Sequence, residues 1–286
     1  MYSRRDLGKL AVVGVPLSLL AQKKKIDSTI KGVQLGAQTY SFRDRPLDGV
    51  IQAMIEVGLG DCEVYSPHVE PKLERAELRQ WRLRASSLDA MRQARKKFDD
   101  AGIAVAAYNL SFKDDFTDDE IDHGFLLAKA FGVNQITASS TLSVAPRLVK
   151  GAEKHQMIVA FHGHDKAAEP NEFATPASFA KALSMSQQFR INLDIGHFVA
   201  AGYDPIPFIE ANHDKITILH LKDRKKGNHE LNLPWGQGDT PIKQVLQLLR
   251  DKKWPIEAFI EYEYMGKDDS VTEVKRCFQF CKDALA

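Results

Sequence analysis

From residue 32 onward, short apolar runs alternate with longer stretches whose apolar positions recur at helical spacing. The runs are VQLGAQTY (33–40), DCEVYS (61–66), IAVAAYNL (103–110), NQITAS (134–139), MIVAFH (157–162), RINLDI (190–195), KITILHL (215–221) and EAFIEY (257–262). Short apolar runs bounded by polar segments read as buried strands, so the pattern predicts eight of them. The intervening stretches predict helices at 46–57, 71–99, 118–131, 144–154, 176–189, 205–212 and 241–252, with a last one at 271–285.

Capping chemistry supports these boundaries independently of periodicity. Thr117 with Glu120, and Ser270 with Glu273, have the spacing of a capping box, in which side chains satisfy the orphan N–H groups of a first turn. Thr175-Pro176 and Thr240-Pro241 each set a capping residue before a proline at the first helical position. Gly58, Gly102 and Gly132 follow predicted helices, where a left-handed residue ends the last turn. Eight β-then-α units in order, with no linker between them, predict an α/β protein built as a single (β/α)8 TIM barrel over residues 31–286. A doubly wound open sheet is the competing architecture, and no glycine-rich fingerprint follows the first strand to support it.

Residues 1–30 are set apart from that domain. Ser3-Arg4-Arg5-Asp6-Leu7-Gly8-Lys9 precedes an apolar stretch from Leu10 to Ala21, which reads as an export signal and resembles the twin-arginine type. The expected location is periplasmic or exported, with the export machinery as a partner; without that signal it becomes cytoplasmic. Formal charge is +1, so no nucleic-acid-binding surface is expected. The helix expected at 71–99 is rich in arginine but interspersed with acids, as a solvated outer helix is. Cys62, Cys277 and Cys281 are an odd set without paired spacings and read as buried free thiols, although export would permit a disulfide. A homo-oligomer is compatible with all of this.

Candidate chemistry collects at the ends of the later strands. MIVAFHGHD carries His162 and His164, INLDIGH carries Asp194 and His197, ITILHLKD carries His220, and AFIEYEY carries Glu261. Ionisable residues ending apolar strands are costly unless paired or ligated, and a barrel gathers such side chains at its C-terminal face. Oxygen and imidazole donors without cysteine suit Mn²⁺, Mg²⁺, Co²⁺ or Zn²⁺ in an open site. The plain alternative is that Asp194 caps the following loop while Glu261 pairs with Lys222.

NLDIGH, ILHLKDRK, the GQGDTPI loop and FIEYE, with FHGHD upstream, resemble the sugar phosphate isomerase/epimerase superfamily with its xylose isomerase-like barrel, over essentially all of 32–286. The resemblance implies a divalent cation held by residues on strands five to eight, with Asp194, His220 and Glu261 taking the last three positions. At the strand-five position this chain has His162 where the family carries glutamate. The resemblance also implies that His197 contacts substrate hydroxyls or orients Asp194, that Glu63 on strand two faces substrate, and that Arg224 contacts it. Lys222, Asn109, Gln38 and Tyr40 are further polar candidates at strand ends, and His164 is a candidate ligand, substrate contact or base.

The family's epimerases are understood to use two metal-bound glutamates on opposite faces of the substrate. Here Glu261 is the only carboxylate in such a position, so Glu261 and His164 are the expected catalytic pair. The expected function is a metal-dependent sugar isomerase or epimerase that removes a proton next to a metal-bound carbonyl, giving an enediolate. The competing reaction is β-elimination from a 3-keto-glycoside by a lyase, and a weaker alternative is a non-catalytic sugar-binding protein. Gly236-Gln237-Gly238-Asp239 ahead of a helix is a weak phosphate signal. Export favours an unphosphorylated sugar, keto-sugar or glycoside.

Overall fold

The structure, a computed structural model, describes residues 25–228 and 231–286. The twin-arginine-like segment lies outside the described residues. Residues 26–30, which the sequence assigns to the leader, pack on the domain. Ile26 N donates to Gly102 O, Ser28 Oγ donates to Leu35 O, and Thr29–Ile30 pairs antiparallel with Val33 and Gln34. The folded unit therefore starts a few residues before the expected boundary.

Eight parallel strands form the barrel: β1 (Val33–Gln38), β2 (Asp61–Tyr65), β3 (Ala104–Asn109), β4 (Gln135–Ala138), β5 (Ile158–His162), β6 (Phe189–Asp194), β7 (Ile216–Leu221) and β8 (Glu257–Ile260). Each pairs with the next, and β8 pairs with β1 to close the sheet. Ten helices follow in sequence among the described residues: α1 (Leu47–Val57), α2 (Arg75–Arg82), α3 (Ala85–Ala101), α4 (Asp118–Ala130), α5 (Ala145–His155), α6 (Pro176–Leu183), α7 (Ile195–Ala200), α8 (Pro205–Asn212), α9 (Ile242–Lys252) and α10 (Ser270–Leu285).

Strand alternation sorts each strand into two sets. Val33, Leu35, Cys62, Val64, Val159, Phe161, Ile191, Leu193, Leu219, Leu221, Ala258 and Ile260 join the large core between barrel and helices. Their alternates point to the barrel axis. There Ala107, Ile218 and Phe259 make a small separate core beneath the strand ends. Gly36 makes room for this plug, because a Cβ there would meet Phe259 Cε1 at 2.5 Å.

Several expected boundaries shift for local reasons. The single helix expected at 71–99 is two, because Ser87 Oγ bonds the carbonyls of Arg82 and Arg84 and Arg84 is extended. The arginines of α2 face acids: Arg75 pairs with Asp115, Arg79 with Glu120 and Arg82 with Glu70. The Thr117–Glu120 capping box forms, and Thr175 caps α6 through Ser178. The Ser270–Glu273 box does not. Asp269 caps α10 instead, and Glu273 turns inward to accept from Tyr264 and from the Lys267 and Asp268 N–H groups. Thr240 is likewise drawn away from capping α9 and bonds Asp223 and Arg224. Gly58, Gly102 and Gly132 take the expected positive φ. All three cysteines are buried and unpaired.

At the N-terminal end of the barrel, burial and the neighbouring Asp61 and Glu63 carboxylates push Glu257 up to about 8. A carboxyl raised on folding favours the folded state when protonated, and that contribution disappears as pH rises through the folded value. Replacing Glu257→Gln is expected to raise the melting temperature at pH 8.5 and to change it little at pH 4. Thermal denaturation at the two pH values measures this; an equal effect at both would refute it.

Candidate metal centre

The axial alternates at the C-terminal strand ends are polar, and they converge. Register sets His162 beside Asn192 and Asp194 beside His220, while Phe259 lies beside His220 and carries Glu261 two residues further on. Ligand atoms of His162, Asp194, His220 and Glu261 all lie within 4.8 Å of one another, and all four residues are buried.

Each of these four residues contributes one buried atom without a well-directed hydrogen bond: His162 Nδ1, Asp194 Oδ2, and the pair His220 Nδ1 and Glu261 Oε2, which lie 3.1 Å apart. Buried polar atoms are rarely left unpaired. Four in one cluster, two nitrogens and two carboxylate oxygens, fit a divalent cation. In Asp194 and His220 the other side-chain atom is already engaged. Asp194 Oδ1 accepts the His197 N–H at 2.7 Å, so Asp194 caps α7 with one oxygen and presents the other. His220 Nε2 lies 2.8 Å from Glu63 Oε2, which leaves Nδ1 toward the cluster.

Glu63 is fully buried and bonded on both oxygens. Its Oε1 accepts from Gln38 Nε2 at 2.6 Å and Asn109 Nδ2 at 3.1 Å, and its Oε2 accepts from Asn192 Nδ2 at 3.0 Å as well as from His220. It lies beneath the site as the support of His220, not on the surface a substrate would reach. A carboxylate behind a ligand imidazole fixes ring orientation and tautomer.

Lys222 is 2 % exposed and supplies the positive charge. Its Nζ lies 3.1 Å from Asp194 Oδ2, 3.0 Å from Glu261 Oε2 and 2.6 Å from Glu263 Oε2. Toward Asp194 and Glu261 these are ion pairs by distance, off the hydrogen-bonding direction, which is why both oxygens remain unsatisfied. The pairing of Glu261 with Lys222 and the capping by Asp194 thus coexist with the cluster.

Electrostatics follow from burial and these charges. Burial would raise Glu261, but Lys222 and His220 outweigh it and hold the carboxyl well below its usual range. Burial pushes Asp194 up to about 6 against the pull of Lys222. Burial would lower His220, but Glu63 and Glu261 overcome it and hold the imidazole well above its usual value. Burial, with neighbouring positive charge, keeps His162 and His197 well below theirs and neutral.

A cavity of about 250 Å³ opens over the cluster, lined by Gln38, Tyr40, Asn109, His162, His164, His197, His220, Lys222 and Glu261 among the sequence candidates. Tyr65, Ser139 and Glu263 also line it, and the sequence reading missed them. Alternation could have found Tyr65 and Glu263, two residues beyond Glu63 and Glu261; Ser139 carries no comparable signal. Arg224 is buried behind the wall, with Nη1 2.6 Å from His197 Nδ1 and 3.1 Å from Asp165 Oδ2. His164 Nδ1 faces Glu172 Oε2 at 3.3 Å. Larger grooves of about 540 and 470 Å³ lie beside α2 and between α4 and α5, and neither is lined by the four clustered residues. Converging unsatisfied atoms, not size, distinguish the site.

The glycine-rich turn at 236–239 is already filled. Asp223 Oδ2 accepts from Gly236 N at 2.7 Å and Gly238 N at 3.0 Å, and its Oδ1 accepts from Thr240 N at 3.2 Å. The chain's own carboxylate thus holds the N–H groups that a phosphate would need.

Two outcomes are expected for metal titration. A cation must displace the proton of His220 and any proton on Asp194, so affinity rises with pH through about 6 and continues to rise above it; calorimetry in buffers of different ionisation enthalpy measures the proton release. Glu63→Gln is expected to weaken binding about 10- to 100-fold by freeing the His220 ring. Unchanged affinity in that variant would show that Glu63 does not position the ligand.

Solved structures with the same architecture include a sugar phosphate isomerase/epimerase from Parabacteroides distasonis (TM-score 0.62, 16% identity, covering 87% of this chain and 95% of that one). AsbF from Bacillus anthracis, assigned as a 3-DHS dehydratase of petrobactin synthesis, aligns at TM-score 0.65 and 17% identity over 87% of this chain and 99% of its own. The IOLI protein with a binding zinc atom aligns at TM-score 0.66 and 15% identity over 88% and 98%. At these identities the likeness is one of fold. No curated protein sequence matches the chain significantly. The sequence profile of the xylose isomerase-like TIM barrel matches residues 68–283, and the chain belongs to that family.

Proposed function

We propose that the protein is a divalent-metal-dependent isomerase or epimerase acting on an unphosphorylated sugar or sugar derivative by proton transfer at a carbon next to a carbonyl. The observation that carries this reading is the convergence of four unsatisfied ligand atoms beneath a small polar cavity. Two imidazoles in the set favour Mn²⁺, Co²⁺ or Zn²⁺ over Mg²⁺, which prefers oxygen. A cation held by His162, Asp194, His220 and Glu261 would supply Lewis-acid stabilisation of negative charge developing on the substrate oxygen.

The chain's own groups divide the remaining work. With Nδ1 turned to Glu172, His164 offers Nε2 as the atom that takes and returns the substrate proton. Glu261 is the second acid–base group, on the β8 side. Lys222 and His197 present polar atoms to substrate oxygens, as do Asn109 and Gln38 from the opposite wall. Arg224 acts through His197, and Glu63 through His220. The filled turn at 236–239 and the exported location suggested by Ser3–Lys9 both support a substrate without phosphate.

Elimination is the second reading. His162 stands where a second metal-bound carboxylate would make the site symmetric, so one carboxylate, Glu261, and one histidine remain for proton transfer. That asymmetry suits loss of a leaving group β to a carbonyl, and a dehydratase shares this fold.

Incubation of the Mn²⁺-loaded protein with free aldoses and ketoses in D₂O is expected to place deuterium next to the carbonyl. Glu261→Gln and His164→Gln should each lower that rate by about 10²- to 10⁴-fold. A parallel incubation with a 3-keto-glycoside tests elimination; aglycone release without sugar isomerisation would move the assignment to a lyase. Sugar binding without turnover, unchanged in Asp194→Ala, would indicate a non-catalytic binding protein.

A further inference from the structure

Lys222 is placed in a way that substrate contact alone does not explain. Its ammonium addresses the two carboxylate oxygens, Asp194 Oδ2 and Glu261 Oε2, that are left unsatisfied for a cation. A divalent ion on those oxygens at about 2.1 Å would lie no more than about 5 Å from Nζ at its present 3.1 and 3.0 Å contacts, in a buried setting with little screening. The two positive charges draw on the same two anions.

On the side of His197, Nζ is weakly held. Its contact with His197 Nε2 is 3.2 Å, while Arg224 Nη1 approaches His197 Nδ1 at 2.6 Å. A neutral imidazole has one acceptor nitrogen, and the shorter Arg224 contact claims it. Glu263 provides the other partner, at 2.6 Å from Nζ and toward the cavity mouth, with its side chain 21% exposed.

We infer that Lys222 is an internal counter-cation that competes with the divalent ion for Asp194 and Glu261 and withdraws to Glu263 when the ion binds. The inference rests on the reading of His162, Asp194, His220 and Glu261 as a metal centre. Without metal, the ammonium keeps two buried carboxylates paired; with metal, it is handed outward to the cavity, where it faces substrate. Lys222 would then set the metal affinity as a positioning residue, distinct from the four ligands.

Mn²⁺ titration of the full-length protein, followed by electron paramagnetic resonance, tests this together with thermal denaturation. Lys222→Met is expected to bind Mn²⁺ about tenfold or more tighter than the unaltered chain, the scale of a typical coupling between two sites. The same variant should melt lower without metal and show a larger metal-induced gain; if it needs metal to fold, refolding in Mn²⁺ should recover it. Glu263→Gln, a change at a partly exposed position, should weaken Mn²⁺ binding several-fold, about the size of a lost surface-accessible charge partner. In the Lys222→Met background the Glu263→Gln effect should fall to less than about half, as coupling through the lysine requires. Equal or weaker Mn²⁺ binding by Lys222→Met would overturn the competition while leaving the metal centre intact. An undiminished Glu263→Gln effect in that background would overturn the withdrawal to Glu263. Failure of both the unaltered chain and Lys222→Met to bind Mn²⁺ would remove the metal reading and this inference with it.

Discussion

The geometry of the site depends on a carboxylate that never reaches it. Glu63 lies inside the barrel, fully buried, and accepts hydrogen bonds from side chains on β1, β3, β6 and β7. A buried charge without such partners would be prohibitive. Four of them turn it into a tie across the barrel, and they hold Asn192, Asn109, Gln38 and His220 in one arrangement. Only the closed sheet brings β2 opposite β7, so the tie requires the fold and the fold is constrained by the tie. Beneath it, the Ala107, Ile218 and Phe259 plug, admitted by Gly36, makes the interior apolar. The low polarity that makes Glu63 costly to strand also strengthens each of its bonds.

From that anchor the charges above it can be followed outward. Asp194 and Glu261 face the cluster with one oxygen each, and Lys222 answers them. His197 and Arg224 continue the chain to Asp165. The centre alternates sign from axis to wall, which confines these side chains between fixed neighbours rather than in open water. His164 stands apart, with Glu172 behind it and the cavity before it. On the proposed reading it can thereby change protonation without disturbing the cluster of His162, Asp194, His220 and Glu261.

Much of this was legible in the chain, and for an identifiable reason. Strand alternation and strand-end position are local properties, so Asp194, His220 and Glu261 announce themselves by ending apolar runs, and His162 does so on β5. The eight units were visible because every helix returns to the next strand over a short distance. What local pattern cannot carry is competition for the same group. Ser270 has the spacing of a capping residue, but Glu273 is needed by Tyr264 and by the loop before α10, so Asp269 caps instead. The long arginine-rich stretch breaks at Arg84 because Ser87 takes carbonyls that a continuous helix would use. The sequence sets Glu63 on the substrate side; its partners come from four strands, and no window of sequence contains them.

The turn at 236–239 shows the same principle bearing on substrate choice. By composition it resembles a phosphate cradle, and a barrel commonly has one near this place. The N–H groups of Gly236, Gly238 and Thr240 instead converge on Asp223, whose carboxylate is 1% exposed as part of a buried residue. A Cβ at position 238 would lie 2.0 Å from Asp223 Oδ1, so the glycine serves the internal acid and leaves no room for an outside anion. Asp223 immediately follows Lys222, and the same backbone turn that aims the lysine into the cluster sends the aspartate into this loop. An arriving phosphate would have to displace a buried, triply bonded carboxylate and would disturb the segment that presents Lys222. On the proposed reading, recognition then falls to the polar side chains of the cavity wall, which would meet the hydroxyl and carbonyl oxygens of a neutral sugar.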